Sequence, residues 1–299
     1  MFKKILPVLA LCAIALGGCD DMSRDPAKAK IRLSNGVEMP VLGFGTWQLT
    51  GEAGYASILL AIMNGYRHID TASVYNNEKE VGRAMRVSRI PREEFFIVSK
   101  VPPRAKSYDE AMMHFNQTLL DLGTNYVDQY LIHWPVVHPL RETGDNYHAE
   151  NREVWCALED IYKSGRARSI GVSNFSINDL RNILDVATIK PMTNQIKYHI
   201  GHTPNDIVRF GRHHGIVTVG YSTLGRTAVL RSKTVQEIAA KYGVTSAQLA
   251  IRYSVQRGIV PLVKAEDPFH QVENRKVDFR ISRRDMQILS ELEIPSTNW

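Results

Sequence analysis

The sequence predicts an α/β fold in which eight parallel strands and their helices close into a (β/α)8 TIM barrel, preceded by a β-hairpin. Eight short apolar segments alternate with longer helical segments along the 299 residues, and strands that alternate with helices form parallel sheets. Eight such units in one chain of this length favour a closed barrel. An open doubly wound sheet is the alternative, but no G-x-G-x-x-G follows the first strand.

The leader, residues 1–19, has the pattern of a secretory signal. The basic start MFKK precedes the apolar run ILPVLALCAIALGG, which is too short to span a membrane comfortably. Its end, LGGC, resembles the lipobox of bacterial lipoproteins, in which the cysteine carries lipid. We therefore expect lipid anchoring through Cys19 to the periplasmic or outer face of a bacterial membrane, with a polar tether over residues 20–30. The alternative is a cytoplasmic chain that starts at Met22.

The predicted barrel domain covers residues 31–299 and opens with the hairpin. Apolar residues alternate on both sides of Asn35-Gly36, and Asn-Gly is a favoured turn between antiparallel strands. Helical patterns cover 52–65, 78–88, 108–123 and 235–243, and a final amphipathic helix covers 281–294. The eight barrel strands are predicted to end near Thr46, Thr71, Lys100, His133, Ser173, Gln195, Tyr221 and Lys264.

Composition excludes several classes of protein. The formal charge of +6 is spread along the chain, and no basic run contains interleaved aromatic residues, so we expect no nucleic acid partner. Three cysteines, two of them in the leader, do not form a disulfide framework. The third, Cys156, lies in a helical pattern and is expected to pack as a small apolar residue. No residues have zinc-ligand spacing, so we expect no metal.

Polar residues stand at or just after the predicted strand ends, where the active sites of such barrels lie. Tyr75 is a phenol with a reference pKa of about 10, and the ammonium of Lys100 would stabilise its phenolate and lower that pKa. Asp70 would hold Lys100 in a dry site, and His133 would orient a carbonyl group. Together they would form a general acid for a carbonyl oxygen that gains negative charge. Singly, each has an ordinary structural explanation: a buried histidine, a loop phenol or an ion pair.

The motifs GYRHIDTASVYNNEKEVG, LIHWP and GVSNF, followed by TNQIKYH, GYSTLGR and PLVKAEDPFHQVEN, resemble those of the aldo-keto reductase family. The resemblance covers about residues 31–298. It implies that Asp70, Tyr75, Lys100 and His133 form the catalytic tetrad, with Tyr75 as the proton donor to the carbonyl oxygen.

The same resemblance implies a nicotinamide cofactor. Ser173, Asn174 and Gln195 match the positions that bind the nicotinamide carboxamide, and Tyr221 matches the aromatic residue that stacks on the ring. Thr223 stands where the family often has proline, so the loop over the phosphates is expected to have a different shape.

The adenosine end departs further from the family pattern. Lys264 is present, and Glu273 and Asn274 fit the adenine-contacting positions. Ala265 and His270 replace the serine or threonine and the arginine that commonly contact a 2′-phosphate. A histidine is only partly charged at neutral pH, so we expect NADP(H) to bind with a reduced advantage over NAD(H).

We therefore expect a monomeric oxidoreductase that reduces small aldehydes or ketones to alcohols with NADP(H) or NAD(H). Trp47 and Trp134 follow strand ends and are expected to wall the substrate pocket, although either residue would also pack well at the barrel mouth. The short segment after the last helix predicts a broad pocket. The alternative is a membrane-tethered, nicotinamide-binding partner protein on a reductase scaffold, which the leader motivates.

Overall fold

The computed structural model of the protein describes residues 25–137 and 146–294. Cys19 and the rest of the predicted leader lie outside these ranges, as do the alternative start Met22 and residues 138–145 and 295–299. The described strands are β1 Lys30–Arg32, β2 Glu38–Pro40, β3 Gly43–Gly45, β4 His68–Asp70, β5 Phe96–Val101, β6 Gln129–Ile132, β7 Ile170–Ser173, β8 Thr193–Lys197, β9 Val217–Tyr221 and β10 Val260–Val263.

Eleven α-helices occur in the described residues. They are α1 Gly51–Met63, α2 Glu78–Ser88, α3 Tyr108–Leu122, α4 His148–Lys163, α5 Ile177–Leu184, α6 Asn205–His213, α7 Ala228–Arg231, α8 Lys233–Lys241, α9 Ser246–Gln256, α10 Pro268–Glu273 and α11 Arg283–Glu291. None of these described helices combines the length and the apolar character that crossing a membrane requires.

The hairpin before the barrel is confirmed. Strands β1 and β2 pair antiparallel, and Gly36 takes the positive φ of 88° that a tight turn needs and glycine adopts without strain. The Asn35 side chain also donates to the carbonyl of Arg168. The fold begins slightly before the predicted boundary, because Asp25 opens a hydrogen-bonded turn to Lys28 and Ala29. The last residues of the expected tether are therefore part of the fold.

The closed barrel is also confirmed. Strands β3 to β10 pair in parallel in chain order, and β10 pairs with β3 to close the ring. The strands are short, buried and rich in apolar residues, as strands covered on both faces usually are. Parallel closure brings all eight carboxyl ends to one rim, and this rim carries the predicted site residues.

Two large apolar clusters hold most of the described helices against the strands. The larger cluster joins the strands to α1–α4 through residues such as Ile58, Val81, Phe115 and Leu158, and the smaller joins α8, α9 and α11. Several helices begin at side-chain caps, among them Ser176 before α5 and Thr245 before α9. Such caps satisfy backbone N–H groups that the first turn leaves unpaired.

The prediction that Cys156 packs in the core is wrong. Cys156 is exposed on α4, whereas Val154, Trp155, Ala157 and Leu158 of the same helix are buried. The helix was predicted correctly, but Cys156 lies on its solvent-facing side and not on the side that packs against the barrel.

Candidate active site

A buried ion pair lies at the rim of the barrel between β4 and β5. Lys100 Nζ donates to Asp70 Oδ1 at 2.7 Å and to the carbonyl of Thr71 at 2.8 Å. The other carboxylate oxygen of Asp70 accepts from Gln195 Nε2 at 2.6 Å. Burial lowers the pKa of Lys100, and the neighbouring Asp70 carboxylate opposes that shift. Each charged group has partners, as burial of an ion requires.

Tyr75 and His133 complete the cluster above this pair. The centroids of their rings lie 5.6 Å apart in an edge-to-face arrangement. Lys100 Nζ lies 5.0 Å from the centroid of the Tyr75 ring. The structure therefore brings all four predicted tetrad residues together, although they come from β4, from β5, from the position after β6 and from the segment between β4 and α2.

The predicted direction of the Tyr75 pKa is wrong. Burial raises the pKa of Tyr75 well above its ordinary value, and the Asp70 carboxylate raises it further. Lys100 is tied to Asp70, so its charge is partly neutralised and does not outweigh the loss of hydration. The phenol therefore keeps its proton at neutral pH, and it can give that proton only to an oxygen that becomes strongly basic.

His133 is a neutral imidazole in this setting. Burial and the nearby Lys100 ammonium lower its pKa well below the ordinary value. Within the described residues, its Nδ1 has no hydrogen-bond partner. A neutral imidazole carries one N–H and one acceptor nitrogen, so it offers a hydrogen bond without adding charge.

The segment that carries Tyr75 is tied to the strand that carries Lys100. Ser73 Oγ donates to the Lys100 carbonyl at 3.1 Å, and Ser99 Oγ donates to Glu78 Oε1 at 2.6 Å. Glu78 is buried in the first turn of α2, and burial raises its pKa. Two hydrogen bonds, one on each side of Tyr75, therefore fix the phenol relative to the ammonium.

The ends of β7, β8 and β9 form a polar shelf beside the tetrad. Ser173 Oγ donates to the Gln195 carbonyl at 2.9 Å, and Tyr221 Oη donates to Asn174 Oδ1 at 2.7 Å. Asn174 adopts a positive φ of 64°, a strained conformation for a residue other than glycine that occurs often at functional sites. Asn174 Nδ2 also donates to the His133 carbonyl.

The shelf fits the nicotinamide group that the motifs predict. A hydroxyl and two carboxamides, from Ser173, Asn174 and Gln195, line the same cavity as the flat ring of Tyr221. A nicotinamide ring presents a flat aromatic face and one carboxamide, so the donor set matches it. Lys264 lines the same cavity and supplies positive charge for phosphates.

The loop after β9 approaches the loop after β3 across the cavity. The guanidinium of Arg226 lies 5.2 Å from the centroid of the Trp47 ring, a cation–π distance. Thr223 is buried and donates Oγ1 to the carbonyls of Gly220 and Leu262, at 3.2 and 3.0 Å. Proline would make neither bond, so Thr223 fixes this loop in a different way from the family pattern.

Of the residues after β10 that are predicted to hold the adenosine end, Lys264 lines the cavity, whereas His270, Glu273 and Asn274 do not. Lys264 Nζ contacts Glu266 Oε1 at 3.3 Å and Gln48 Oε1 at 3.2 Å. Its charge is therefore shared with an acidic neighbour. His270 is exposed on α10, and no hydrogen bond or ion pair of its side chain is recorded within the described residues.

The main cavity at the rim has a volume of about 650 Å³. Its lining does not include Lys100, which lies fully buried beneath the rim, or the predicted residues His270, Glu273 and Asn274 of the α10 region. The predicted residues that line it are Trp47, Asp70, Tyr75, His133, Trp134, Ser173, Asn174, Gln195, Tyr221 and Lys264. Sequence reasoning missed further lining residues, among them Gln48, Val74, Pro103, Leu224, Arg226 and Thr227.

A position just after a strand end was the signal that could have found these residues, because every βα loop of a barrel reaches this rim. The part of the chain that the structure describes contains no cluster of three or more His, Cys, Asp or Glu side chains suited to a metal ion.

Comparison with known proteins gives consistent matches over almost the whole described chain. The sequence model of the aldo/keto reductase family matches residues 41–294. Aldehyde reductase YPR1 of Saccharomyces cerevisiae is 37% identical over 287 residues, covering 89% of this chain and 91% of the relative. The NAD(P)H-dependent D-xylose reductase I,II of Candida tropicalis is 34% identical over 307 residues, covering 91% of this chain and 95% of the relative.

A solved structure agrees with the sequence matches. The aldo/keto reductase from Brucella melitensis has a TM-score of 0.82 and 32% sequence identity, and the match covers 88% of this chain and 98% of that one. The same barrel therefore occurs in a protein whose chain is matched over almost its whole length.

Proposed function

Since this chain belongs to the aldo/keto reductase family and reduces carbonyl groups with NADP(H) or NAD(H), we propose that Tyr75 donates the proton in this reaction. The observation that carries the proposal is the buried contact of Lys100 with Asp70 directly beneath the Tyr75–His133 pair. The relatives named above are reductases, which favours catalysis over the alternative of a binding protein without turnover.

Each of the four tetrad residues has a separate role in one proton transfer. Tyr75 gives its proton to the carbonyl oxygen as the carbon is reduced, because that oxygen gains negative charge and becomes basic. Lys100 stabilises the phenolate that remains, and Asp70 holds Lys100 in place. His133, kept neutral by burial, donates a hydrogen bond that orients the carbonyl oxygen.

The shelf residues hold the cofactor, which supplies a hydride to the carbonyl carbon when bound. Ser173, Asn174 and Gln195 would bind its carboxamide, and Tyr221 would stack against its ring. Gln195 also donates to Asp70, so the carboxamide position and the ion pair are linked through one side chain. Lys264 at the cavity edge attracts the phosphates.

Small aldehydes and ketones are the proposed substrates. Trp47 and Trp134 wall the cavity, and their rings offer apolar surface to the carbon chain beside the reacting group. Relatives named for an aldehyde and for a sugar aldehyde support a preference for the carbonyl group over any one carbon skeleton. A panel that shows one sugar strongly preferred over all other carbonyl compounds would contradict this proposal.

The direct test uses purified protein that lacks residues 1–19. It should oxidise NADPH in the presence of small aldehydes, with a rate that depends on the concentration of both. A folded, cofactor-binding protein that gives no turnover across aldehydes, ketones and sugars would favour the binding role instead.

We also propose that the leader directs lipid attachment at Cys19 and that the barrel is anchored to the membrane. The order of basic residues, apolar run and LGGC supports this. Cys19→Ser should abolish lipid attachment and move the protein from the membrane fraction to the soluble fraction. A wild-type protein that is already soluble and unprocessed, or that begins at Met22, would contradict the proposal.

A further inference from the structure

Lys106 occupies an unusual position outside the tetrad. It lies in the loop between β5 and α3, and its side chain reaches the segment after β6. Its ammonium donates to the backbone carbonyls of Trp134 and Pro135, at 3.1 and 3.0 Å, and to Asn151 Oδ1 at 3.0 Å. Three acceptors use all three N–H groups of a lysine.

The contacts of Lys106 join the two ends of one connection. Trp134 and Pro135 begin the segment between β6 and α4, whereas Tyr147 and Asn151 lie at its other end. Asn151 is fully buried and donates Nδ2 to the Pro135 carbonyl at 2.8 Å. The Tyr147 ring centroid lies 5.5 Å from the Lys106 ammonium. We refer to Lys106 and these four residues as the clasp. The clasp joins the two described ends of this connection.

The clasp is not an ion pair. Within residues 25–137 and 146–294, no carboxylate forms a salt bridge with the Lys106 ammonium. The charged groups around it are Glu150 on α4 and Asp179 on α5, while Glu110 on α3 accepts from the Lys106 backbone N–H. Burial lowers the pKa of Lys106 to about 8, and Glu150 and Asp179 oppose that shift. A half-buried cation with neutral acceptors is costly, which makes a purely stabilising role a poor explanation.

The clasp lies directly behind the substrate side of the cavity. Trp134 lines the cavity, and so does Pro103, three residues before Lys106. His133, the proposed orienting residue, immediately precedes Trp134. The hydrogen bonds of Lys106 thus hold two walls of the cavity, from different βα loops, in one arrangement.

We propose that Lys106 is a positioning residue that fixes the Trp134 wall and thereby sets the affinity for the carbonyl substrate. The inference rests on the proposed use of this cavity as the substrate pocket. Among the residues that the structure describes, the Lys106 ammonium bonds to Trp134, Pro135 and Asn151 and to no side chain of the tetrad or the shelf, so it acts on substrate binding through Trp134. Cofactor binding and the proton transfer itself should be insensitive to it.

Lys106→Met tests the proposal, because methionine keeps an unbranched side chain of similar length but donates no hydrogen bond. The KM for an aromatic aldehyde should rise by about tenfold, because a Trp134 wall that is no longer held in place contacts the substrate less well. The kcat should stay within about twofold of wild type, and the dissociation constant of NADPH, measured by fluorescence titration, should not change. Lys163→Met on α4 is the matched control, since Lys163 is exposed and pairs with the exposed Asp160, away from the cavity.

A double-mutant cycle shows whether Lys106 acts through Trp134. In a Trp134→Ala background, Lys106→Met should change KM by no more than about twofold. Equal effects in both backgrounds, or an unchanged KM in active Lys106→Met, would overturn the inference. An inactive wild-type enzyme would instead overturn the proposed function and this inference together.

Lys106→Arg provides a second route if Lys106→Met does not fold. A guanidinium keeps its charge at all accessible pH values, so this variant should hold the clasp at pH 9, where lysine in this environment loses its proton. The KM of wild type should therefore rise from pH 7 to pH 9 by a larger factor than the KM of Lys106→Arg. Identical pH profiles would contradict the role of the Lys106 charge.

Discussion

Asp70 Oδ1 accepts a hydrogen bond from Lys100 Nζ at 2.7 Å, with both side chains almost completely buried. The second oxygen of the same carboxylate accepts from Gln195 on the shelf. One carboxylate therefore connects the proposed acid–base cluster to the proposed cofactor shelf. We therefore expect Asp70 to contribute both to catalysis and to the stability of the barrel rim.

Asp70→Asn should impair both properties. The variant leaves the Lys100 ammonium buried without a charged partner, and the loss of one member of a buried pair costs about 3 to 5 kcal/mol. We expect kcat to fall by about a hundredfold or more and the free energy of unfolding to fall by a few kcal/mol. Steady-state kinetics and urea unfolding measure the two effects.

Asp160→Asn is the control for that experiment. Asp160 is exposed on α4 and pairs with Lys163, and exposed pairs contribute little to stability. It should behave like wild type. If Asp70→Asn kept wild-type kcat and stability, the ion pair would have neither role.

His270→Arg should raise the preference for NADP(H) over NAD(H) by about tenfold, which is the effect of one charge-assisted contact worth about 1.4 kcal/mol. Lys264 forms an ion pair with Glu266, so its attraction for a 2′-phosphate is weakened. A permanent cation at position 270 should therefore strengthen the binding of that phosphate. Fluorescence titration with NADPH and NADH gives both dissociation constants.

His213→Arg adds the same charge at the end of α6 and should leave the cofactor preference unchanged. A wild-type protein that already binds NADP(H) thousands of times more tightly than NAD(H) would contradict the account of this segment.

The strand ends and the clustering of the four tetrad residues could be predicted because their signals are local. Each buried strand is a short apolar run, and a polar residue marks the point where it reaches the rim. The error at Cys156 was also avoidable: Arg152, Glu153 and Asp160 stand three or four residues away on the same helix, and this spacing defines a polar face.

The rest depends on contacts between residues far apart in sequence. The raised pKa of Tyr75 follows from loss of hydration and from the nearby Asp70 carboxylate, and no local sequence pattern indicates either effect. Lys106 contacts Trp134 and Asn151 across 28 and 45 positions, and Arg226 approaches Trp47 only after the barrel closes. These relationships arise from the way the βα loops meet at the rim.

Asp285 should control the acid stability of the C-terminal part of the barrel. Lys241, Tyr242 and Ser282 donate to its carboxylate and lower its pKa from the ordinary 3.8 to about 2. Since the folded-state pKa is the lower one, the stabilisation is present above the unfolded value and is lost as pH falls from about 4 toward about 2. Asp285→Asn should cost about 1 kcal/mol at pH 7.

Thermal unfolding between pH 2 and pH 7 measures this effect, with Asp278→Asn as the control because Asp278 is exposed. The Asp285→Asn variant should lose less stability on acidification than wild type does. Parallel stability curves for the two proteins would show that Asp285 is not the group responsible.

The proton-donor role of Tyr75 is tested most directly by Tyr75→Phe, which removes the hydroxyl and keeps the ring. The measurement is kcat for an aldehyde together with the dissociation constant of NADPH, with Tyr108→Phe on α3 as the control. We predict that kcat falls by about a hundredfold or more while NADPH binds as tightly as to wild type. A Tyr75→Phe protein that keeps wild-type turnover would contradict the account.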